Sequence, residues 1–507
     1  MSGGVAEAVV ELPYTFRYFR ELSPSFLSLA LLNQGIAFEI GRPLRYLELG
    51  FGQGVSLVVH AAACNGEFWG NDFSSEHVAH ARGLASASGT DVHVLVDTFI
   101  ELAARDDLPE FDIIALHGIW SWVSEQDRSA IIDVARRKLA AGGLLYVSYN
   151  CTTGWGAALG FRELAKLYAS YEVEETLPVV AKVDRALRFA RALQEAGASY
   201  FGSHPGVETM LQSFMEKDLA YVSHELFVPN FAIRSFAEVA SELSEAGLKF
   251  GASALLLSQD GVLAQPGGDL LSGLKSQVMQ EMAKDALANT RFREDIFIKG
   301  EPRVVSPEQR LERLRKSRFV LTVPFGALPR ALNLPGQEIN LGTETNVEIV
   351  KALRAADYSP KSLADMEIAL GRTLDQFLSN LMLLVGVGCV QPVQPVVSAD
   401  ARARCSRLNA IICNRARNAE GVDALASPVL GAGFYLGRLN QLFLLARSEG
   451  RREIADLVEF AWRCVESGTG GKAVARTNAE PVTRASVAAA AAGFEALLPI
   501  LKALEIA

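Results

Sequence analysis

Between residues 45 and 150, apolar runs short enough to be strands alternate with segments whose apolar positions recur every three or four residues. That alternation predicts a parallel sheet covered by helices on both faces. The strands fall at 45–49, 67–72, 92–97, 111–117 and 143–149. Helix ends are marked in the chain as well. The helix from Val55 to Ala63 stops at CNG, Ser74 opens the next, and Ser124 with Asp127 makes a capping-box start for a helix over 125–140. Gly142 and Gly143 then turn the chain into the fifth strand. Upstream, ELPYTFRYFRELSPSFLSLALLNQG reads as an aromatic-rich arm and a helix closed by Gly35.

Beyond residue 155 the helical period takes over. Val180, Val183, Leu187, Ala190 and Leu193 share one face of a segment ended by Gly197. Phe236, Val239 or Ala240, and Leu243 mark another helix, which Gly247 stops before the strand-like LKFGASALLL. RFREDIFIKG (291–300) reads as a further strand. These strands either complete the first sheet after a helical insertion or belong to a separate middle domain, and the pattern leaves both open. VVSPEQRLERLRKSRF starts a new unit, with Ser306 as N-cap, Pro307 in the first turn and Gln309 as capping-box partner. The expected fold class is therefore α/β, with a helical or α+β middle region and a mainly helical C-terminal domain. Its expected divisions are 1–155, 156–302 and 303–507. Within the last, three helices and a strand at about 343–397 follow the order of a winged-helix unit.

Composition changes the picture mainly by exclusion. A formal net charge of -9 leaves no global basic field for a polyanion. The run Arg310, Arg313, Arg315, Lys316, Arg318 is interleaved with Leu311, Glu312 and Leu314, the pattern of a charged helix face. Residues 343–397 carry four basic against six acidic side chains, so no nucleic-acid partner is expected there. The six cysteines (Cys64, Cys151, Cys389, Cys405, Cys413, Cys464) form no C-x-x-C pair, which predicts a reducing compartment. MSGGVAEAVVELPYTF lacks a basic start followed by an apolar run, so the expected location is the cytoplasm. ASVAAAAAGFEALLPILKALEI carries Glu495, Pro499 and Lys502, and a packed helix is expected there rather than a membrane span.

The chemistry centres on RYLELGFGQGVSL (45–57), where a strand breaks into glycines at 50, 52 and 54. No lysine and hydroxyl pair follows Gly54 as a nucleoside-triphosphate loop requires. A dinucleotide loop would place its third glycine one position later, and Glu48 would face the pyrophosphate. A ligand carrying an amine and a sulfonium fits better, and S-adenosylmethionine is one. Asp72, ending the second strand, is placed to accept from ribose hydroxyls, and Phe73 to lie against adenine. Asp97, ending the third strand, can accept from the adenine amino group, with Thr98 and Phe99 following it. The expected cofactor set is Glu48, Gly50, Phe51, Gly52, Gln53, Gly54, Asp72, Phe73, Asp97, Thr98, Phe99 and His117.

This arrangement resembles the class I S-adenosylmethionine-dependent methyltransferases, whose Rossmann-like sheet has seven strands. LHGIWSWVSEQDRSAII, GGLLYVSYNCTTGW, YVSHELFVPNFAIRSFAEVASELSEAGLKF and RFREDIFIKG extend the likeness. They resemble bacterial methyltransferases with a methyltransferase regulatory domain, a group that includes rickettsial-type protein lysine methyltransferases. LASPVLGAGFYLGRLNQLFLLA looks like the end region of such proteins, and Phe51 stands where cysteine is frequent. The resemblance implies a protein acceptor and methyl transfer to lysine amines.

At the fourth strand end the chain reads HGIWSW, with no [DN]-P-P-[YFW] for base or amide nitrogens and no Pro-Cys nucleophile for cytosine. Trp120, Trp122 and Trp155, with Tyr14, Tyr18 and Tyr221, are the expected acceptor-binding aromatics, whose faces attract cations. His117, Tyr149 and His224 are the catalytic candidates, whereas His77 and His80 are expected on a solvated helix face. No metal site is expected. A methyltransferase for a sugar, glycan or secondary metabolite fits the same residues, as does a cofactor-binding sensor without catalysis, and assembly as a homodimer stays open.

Overall fold

The structure, a computed structural model, describes residues 16–39, 43–228, 230–263, 267–334, 337–419, 421–467 and 482–507. Five strands appear where the apolar pattern put them: β1 (Leu44–Leu49), β2 (Gly66–Asp72), β3 (His93–Val96), β4 (Phe111–Leu116) and β5 (Leu139–Asn150). They pair in parallel. β6 (Leu248–Ser253) and β7 (Phe292–Lys299) join the same sheet, giving the order β3-β2-β1-β4-β5-β7-β6. β7 runs antiparallel to both neighbours, with Tyr146 opposite Ile296 and Ser148 opposite Glu294. The strand order reverses between β1 and β4, which opens a crevice at their carboxyl ends, where such sheets bind ligands.

Two apolar cores sit on the two faces of this sheet. Helices Pro24–Asn33, Val55–Ala63 and Ser75–Ser88 bury one face. Glu125–Lys138 and Phe236–Ser244 bury the other, and both start at capping boxes, Ser124 with Asp127 and Ser235 with Glu238. Between β5 and β6 the chain inserts helices from Thr152–Trp155 to Leu219–Phe227 around a third core that includes Phe161, Val183, Leu211 and Val222.

The last part of the chain packs onto the face made by Val55–Ala63. Helix Ala399–Arg415 lies against that helix and Ser75–Ser88. Its Arg404 donates to the carbonyls of Ala62 and Cys64 at 3.3 and 2.8 Å, and Arg407 to that of Ser88 at 2.7 Å. Cations there complement the carbonyl-rich helix ends. Helices Glu344–Arg354, Leu363–Leu370 and Leu378–Gly386 are followed by a strand at Val390–Val393. That strand pairs with Arg318–Leu321, so the small sheet draws its central strand from upstream of residue 343. Helix Arg484–Ala503 is long and apolar enough to cross a membrane by length and composition; here it buries Val487, Ala491, Phe494 and Leu501, packed against Arg438–Ser448 and Ile454–Ser467.

Candidate active site

The three glycines of the loop after β1 all adopt left-handed backbone, with φ of 61° at Gly50, 57° at Gly52 and 72° at Gly54. Only glycine takes that conformation at no steric cost. Two of the three positions are also closed by protein neighbours. A Cβ at Gly54 would stand 2.5 Å from Ala81 Cβ, and one at Gly50 would stand 2.6 Å from Ile119 Cδ1. The loop is thereby pressed onto β2, whose Asn71 carbonyl accepts from Gly50 N at 2.9 Å.

Asp72 holds this loop from the end of β2. Its Oδ2 accepts from Gly52 N at 2.9 Å, and its Oδ1 accepts from Ser74 N at 2.9 Å and meets His77 Nδ1 at 3.1 Å. Those partners fill both acceptor positions of Oδ1 and leave one on Oδ2. The solvated face expected for His77 is therefore corrected: its ring pairs with Asp72 and lines the crevice. His80 departs from that expectation too, with Nδ1 2.8 Å from the Gln53 carbonyl.

A cavity of about 220 Å³ occupies the crevice. Of the expected residues, Glu48, Gly50, Phe51, Gly52, Asp72, Phe73, His117, Trp122, Tyr221 and His224 line it together. Glu48 is buried, and its one hydrogen-bond partner among the described residues is the Tyr46 hydroxyl at 3.3 Å. Desolvation pushes its carboxyl up to about 8. Phe73 stands at the rim, 62% exposed, an aromatic face without a cover. A cationic ligand with a flat aromatic end fits this donor set: the acid awaits a positive group, and the rim ring a stacking partner.

A second cavity of about 300 Å³ adjoins the first, sharing Phe19, His117, Trp122, Tyr221 and Glu225, and continues to Trp155, Lys217 and Arg291. The inserted helix Leu219–Phe227 forms the partition. Tyr221, His224, Glu225 and Val228 follow one another at helical spacing and reach the crevice from one face. The Tyr221 ring has Arg17 5.4 Å and Lys217 5.2 Å from its centroid. Burial raises the Glu225 carboxyl from its ordinary range, offset in part by a hydrogen bond from Tyr221, while burial lowers the Lys217 amine.

His117 follows directly on β4, with its ring tilted over Phe19, centroids 3.9 Å apart. Its Nδ1 is 2.8 Å from the Tyr146 hydroxyl. Desolvation pushes the imidazole down to about 3, so the ring is neutral.

Other expected residues stand elsewhere. Asp97 turns its carboxylate to Arg105 at 3.1 Å, while its backbone carbonyl accepts from Asn71. Thr98 caps the helix Phe99–Ala103. Phe99 packs behind Gly50, and Gln53 and Gly54 lie on the protein side of the loop. Trp120 is fully buried in the second core, and its carbonyl accepts from Arg128 at 3.0 Å. Tyr149 is buried and donates to Asp295 at 2.7 Å, inside a cluster with Arg293. Tyr18 fastens the N-terminal arm to the C-terminal region, accepting from Gly433 N at 2.8 Å. Tyr14 lies outside the described residues.

The pattern missed Arg17, Phe19, Ser56 and Glu225. Phe19 and Arg17 sit on a non-helical arm that carries no period. Glu225 follows Tyr221 by four residues, a spacing that signals a shared face.

A family model described as a methyltransferase domain matches residues 47–143, and one described as a predicted methyltransferase regulatory domain matches residues 218–299. The uncharacterized protein sll1526 of Synechocystis is 32% identical over 465 residues, which are 90% of this chain and 90% of that protein. The uncharacterized protein RP789 of Rickettsia prowazekii is 25% identical over 299 residues, 58% of this chain and 53% of that one. Among solved structures, PKMT2 from Rickettsia typhi in complex with AdoHcy is similar with a TM-score of 0.67 at 17% identity, covering 97% of this chain and 99% of that one.

Proposed function

Because the chain belongs to the S-adenosylmethionine-dependent class I methyltransferases that carry a methyltransferase regulatory domain, we propose that it transfers methyl groups to lysine amines of a protein. The observation that carries this reading is the joining of two cavities at Trp122 and Tyr221. One holds the acids and the rim aromatic that suit the cofactor, and the other is an aromatic passage containing the half-buried Glu225. The resemblance to PKMT2 supports the same acceptor class.

In this reading Glu48 pairs with the cofactor's ammonium group, the remaining acceptor position of Asp72 takes a ribose hydroxyl, and Phe73 covers the adenine. Bound there, S-adenosylmethionine would supply a sulfonium-activated methyl group for transfer to an amine lone pair, with the thioether as leaving group. The protein's share is orientation and desolvation. Holding two reactants in a near-attack arrangement contributes up to ~7–11 kcal/mol. Trp122, Trp155 and Tyr221 wall the passage, and an ammonium over such rings gains about 0.5–2 kcal/mol. Glu225 anchors the incoming cation, and the apolar walls favour the neutral amine once it passes His117.

The division of the chain belongs to the same proposal: a catalytic core whose sheet closes at Lys299, helices of 152–227 inserted as the acceptor wall, and a C-terminal region that supports the cofactor loop from behind.

Glu225→Gln tests the acceptor side. It is expected to raise KM for a lysine-containing acceptor by about tenfold, with cofactor affinity by calorimetry unchanged. An unaltered KM would remove Glu225 from the acceptor passage.

A further inference from the structure

We infer that His117, Tyr146 and Glu294 form a proton relay that leads from the methyl-acceptor cavity along one face of the sheet toward Glu21, and that it carries away the proton the acceptor amine must lose. The inference rests on the proposed amine acceptor and adds Tyr146, Glu294 and Glu21, on which that proposal did not draw.

The geometry is continuous. His117 lines both cavities of the site, and its Nδ1 lies 2.8 Å from Tyr146 Oη. Tyr146 and Glu294 project from neighbouring strands, β5 and β7, where Glu294 pairs with Ser148, two residues along from Tyr146. The two side chains rise from the same face of the sheet on adjacent strands, near enough for each to shift the other's titration. A carboxylate only accepts, so in the relay the Tyr146 hydroxyl turns its proton toward Glu294 and accepts from His117 Nδ1–H. That assignment leaves Nε2 as the acceptor on the site side of the ring.

Glu294 has the character of a terminal proton store. It is buried, and its Oε2 has no hydrogen-bond partner among the described residues. The groups that face it are Tyr146 from β5, Arg20 and Glu21 from the turn Arg20–Leu22, and Asp295 of its own strand. Desolvation first, then the Glu21 charge, push its carboxyl up to about 8, against lowering by Tyr146 and Arg20. Glu21 lines a third cavity, of about 540 Å³, with its side chain 18% exposed, which supplies the exit to water.

The proton steps balance. The acceptor ammonium loses one N–H proton to His117 Nε2, the Nδ1 proton moves to Tyr146 Oη, and the Tyr146 proton moves to ionised Glu294. The products are a neutral amine and a neutral Glu294 carboxyl. No ring need hold a full charge, which suits an imidazole held down to about 3. Glu294 then releases its proton toward Glu21 and solvent, and each further methylation of the same nitrogen calls on the relay again.

The test has two arms. In the first, butylamine is added to the protein without cofactor at a pH above the value of about 8 set for Glu294. The infrared carboxylic C=O band of Glu294 is expected to grow in the wild type and stay flat in Glu294→Gln and Tyr146→Phe. Glu48→Gln and Glu225→Gln identify any band that arises from those two cavity-lining carboxyls. In the second, methyl transfer is followed against pH. The wild-type rate is expected to rise to a plateau near pH 8; Glu294→Gln and Tyr146→Phe are expected to lose that limb and run about 10²-fold slower at the plateau. Glu294→Asp, which keeps a carboxyl, is expected to restore a limb, and cofactor affinity is expected to be equal in all variants. A flat band in the wild type, or an unchanged limb in both relay variants, would overturn the relay. A growing band in a protein that methylates no amine would leave the relay standing and sink the proposed function instead.

Discussion

Glu48 is a carboxyl group buried at the end of a parallel strand, where burial moves its titration from the ordinary 4.5 to about 8. Between those two values the folded protein binds more protons than the unfolded chain. The favourable contribution is therefore complete below about 4.5 and is lost as pH rises through about 8. Glu48→Gln is expected to flatten this part of the stability profile in chemical unfolding at a series of pH values. A ligand bearing an ammonium group draws on the ionised form, so cofactor affinity is expected to rise with pH, by up to about tenfold per unit, and level off near 8. Calorimetry showing the opposite slope would separate Glu48 from the cofactor. Trp120 has a different part. Fully buried among Ile131, Leu145 and Phe236, it holds the second core together. Trp120→Ala is expected to cost about 3–5 kcal/mol in denaturant unfolding, against little change in turnover per folded molecule. Position along a strand end told which residues stand near the crevice, and Glu48 and Asp72 followed from it. It did not tell which way a side chain turns: Asp97 sits at such an end and pairs with Arg105.

The glycine loop joins a strand to a helix in too few residues for any other backbone. Gly54→Ala is expected to cost about 1–3 kcal/mol, because it adds a left-handed penalty to a Cβ placed 2.5 Å from Ala81. Thermal melts check this, and a loss well under 1 kcal/mol would mean that helix Ser75–Ser88 yields freely. At this scale the chain was most legible where local chemistry decides alone. The helix Val55–Ala63 has the ends read from the chain, and Ser124 and Ser306 make the capping boxes expected of them. Long-range pairing was not legible. β7 enters between β5 and β6 only because Leu145, Phe297 and Phe250 bury together on one face, a contact that no local period encodes. The arm carrying Phe19 was opaque for a similar reason, since its place is fixed by Ser56 Oγ, which accepts from Phe19 N at 2.9 Å.

Across the whole molecule, Phe292 borders both the proposed acceptor passage and the cavity that Glu21 lines. The C-terminal region braces the helix that follows the cofactor loop, through Arg404 and Gln394 on its last carbonyls. The inserted helices bring Tyr221 and Glu225 to the cavity that β1, β2 and β4 have already shaped. In the proposed reading, cofactor and acceptor sites come from separate stretches of chain and meet at His117. The measurement that tests this account most directly is transfer of labelled methyl from S-adenosylmethionine into an extract of the source cells, separated into protein, nucleic acid, glycolipid and small-molecule fractions. Label in protein, localised to lysine by peptide mass, is the expected result; label confined to a glycan or small molecule would contradict it.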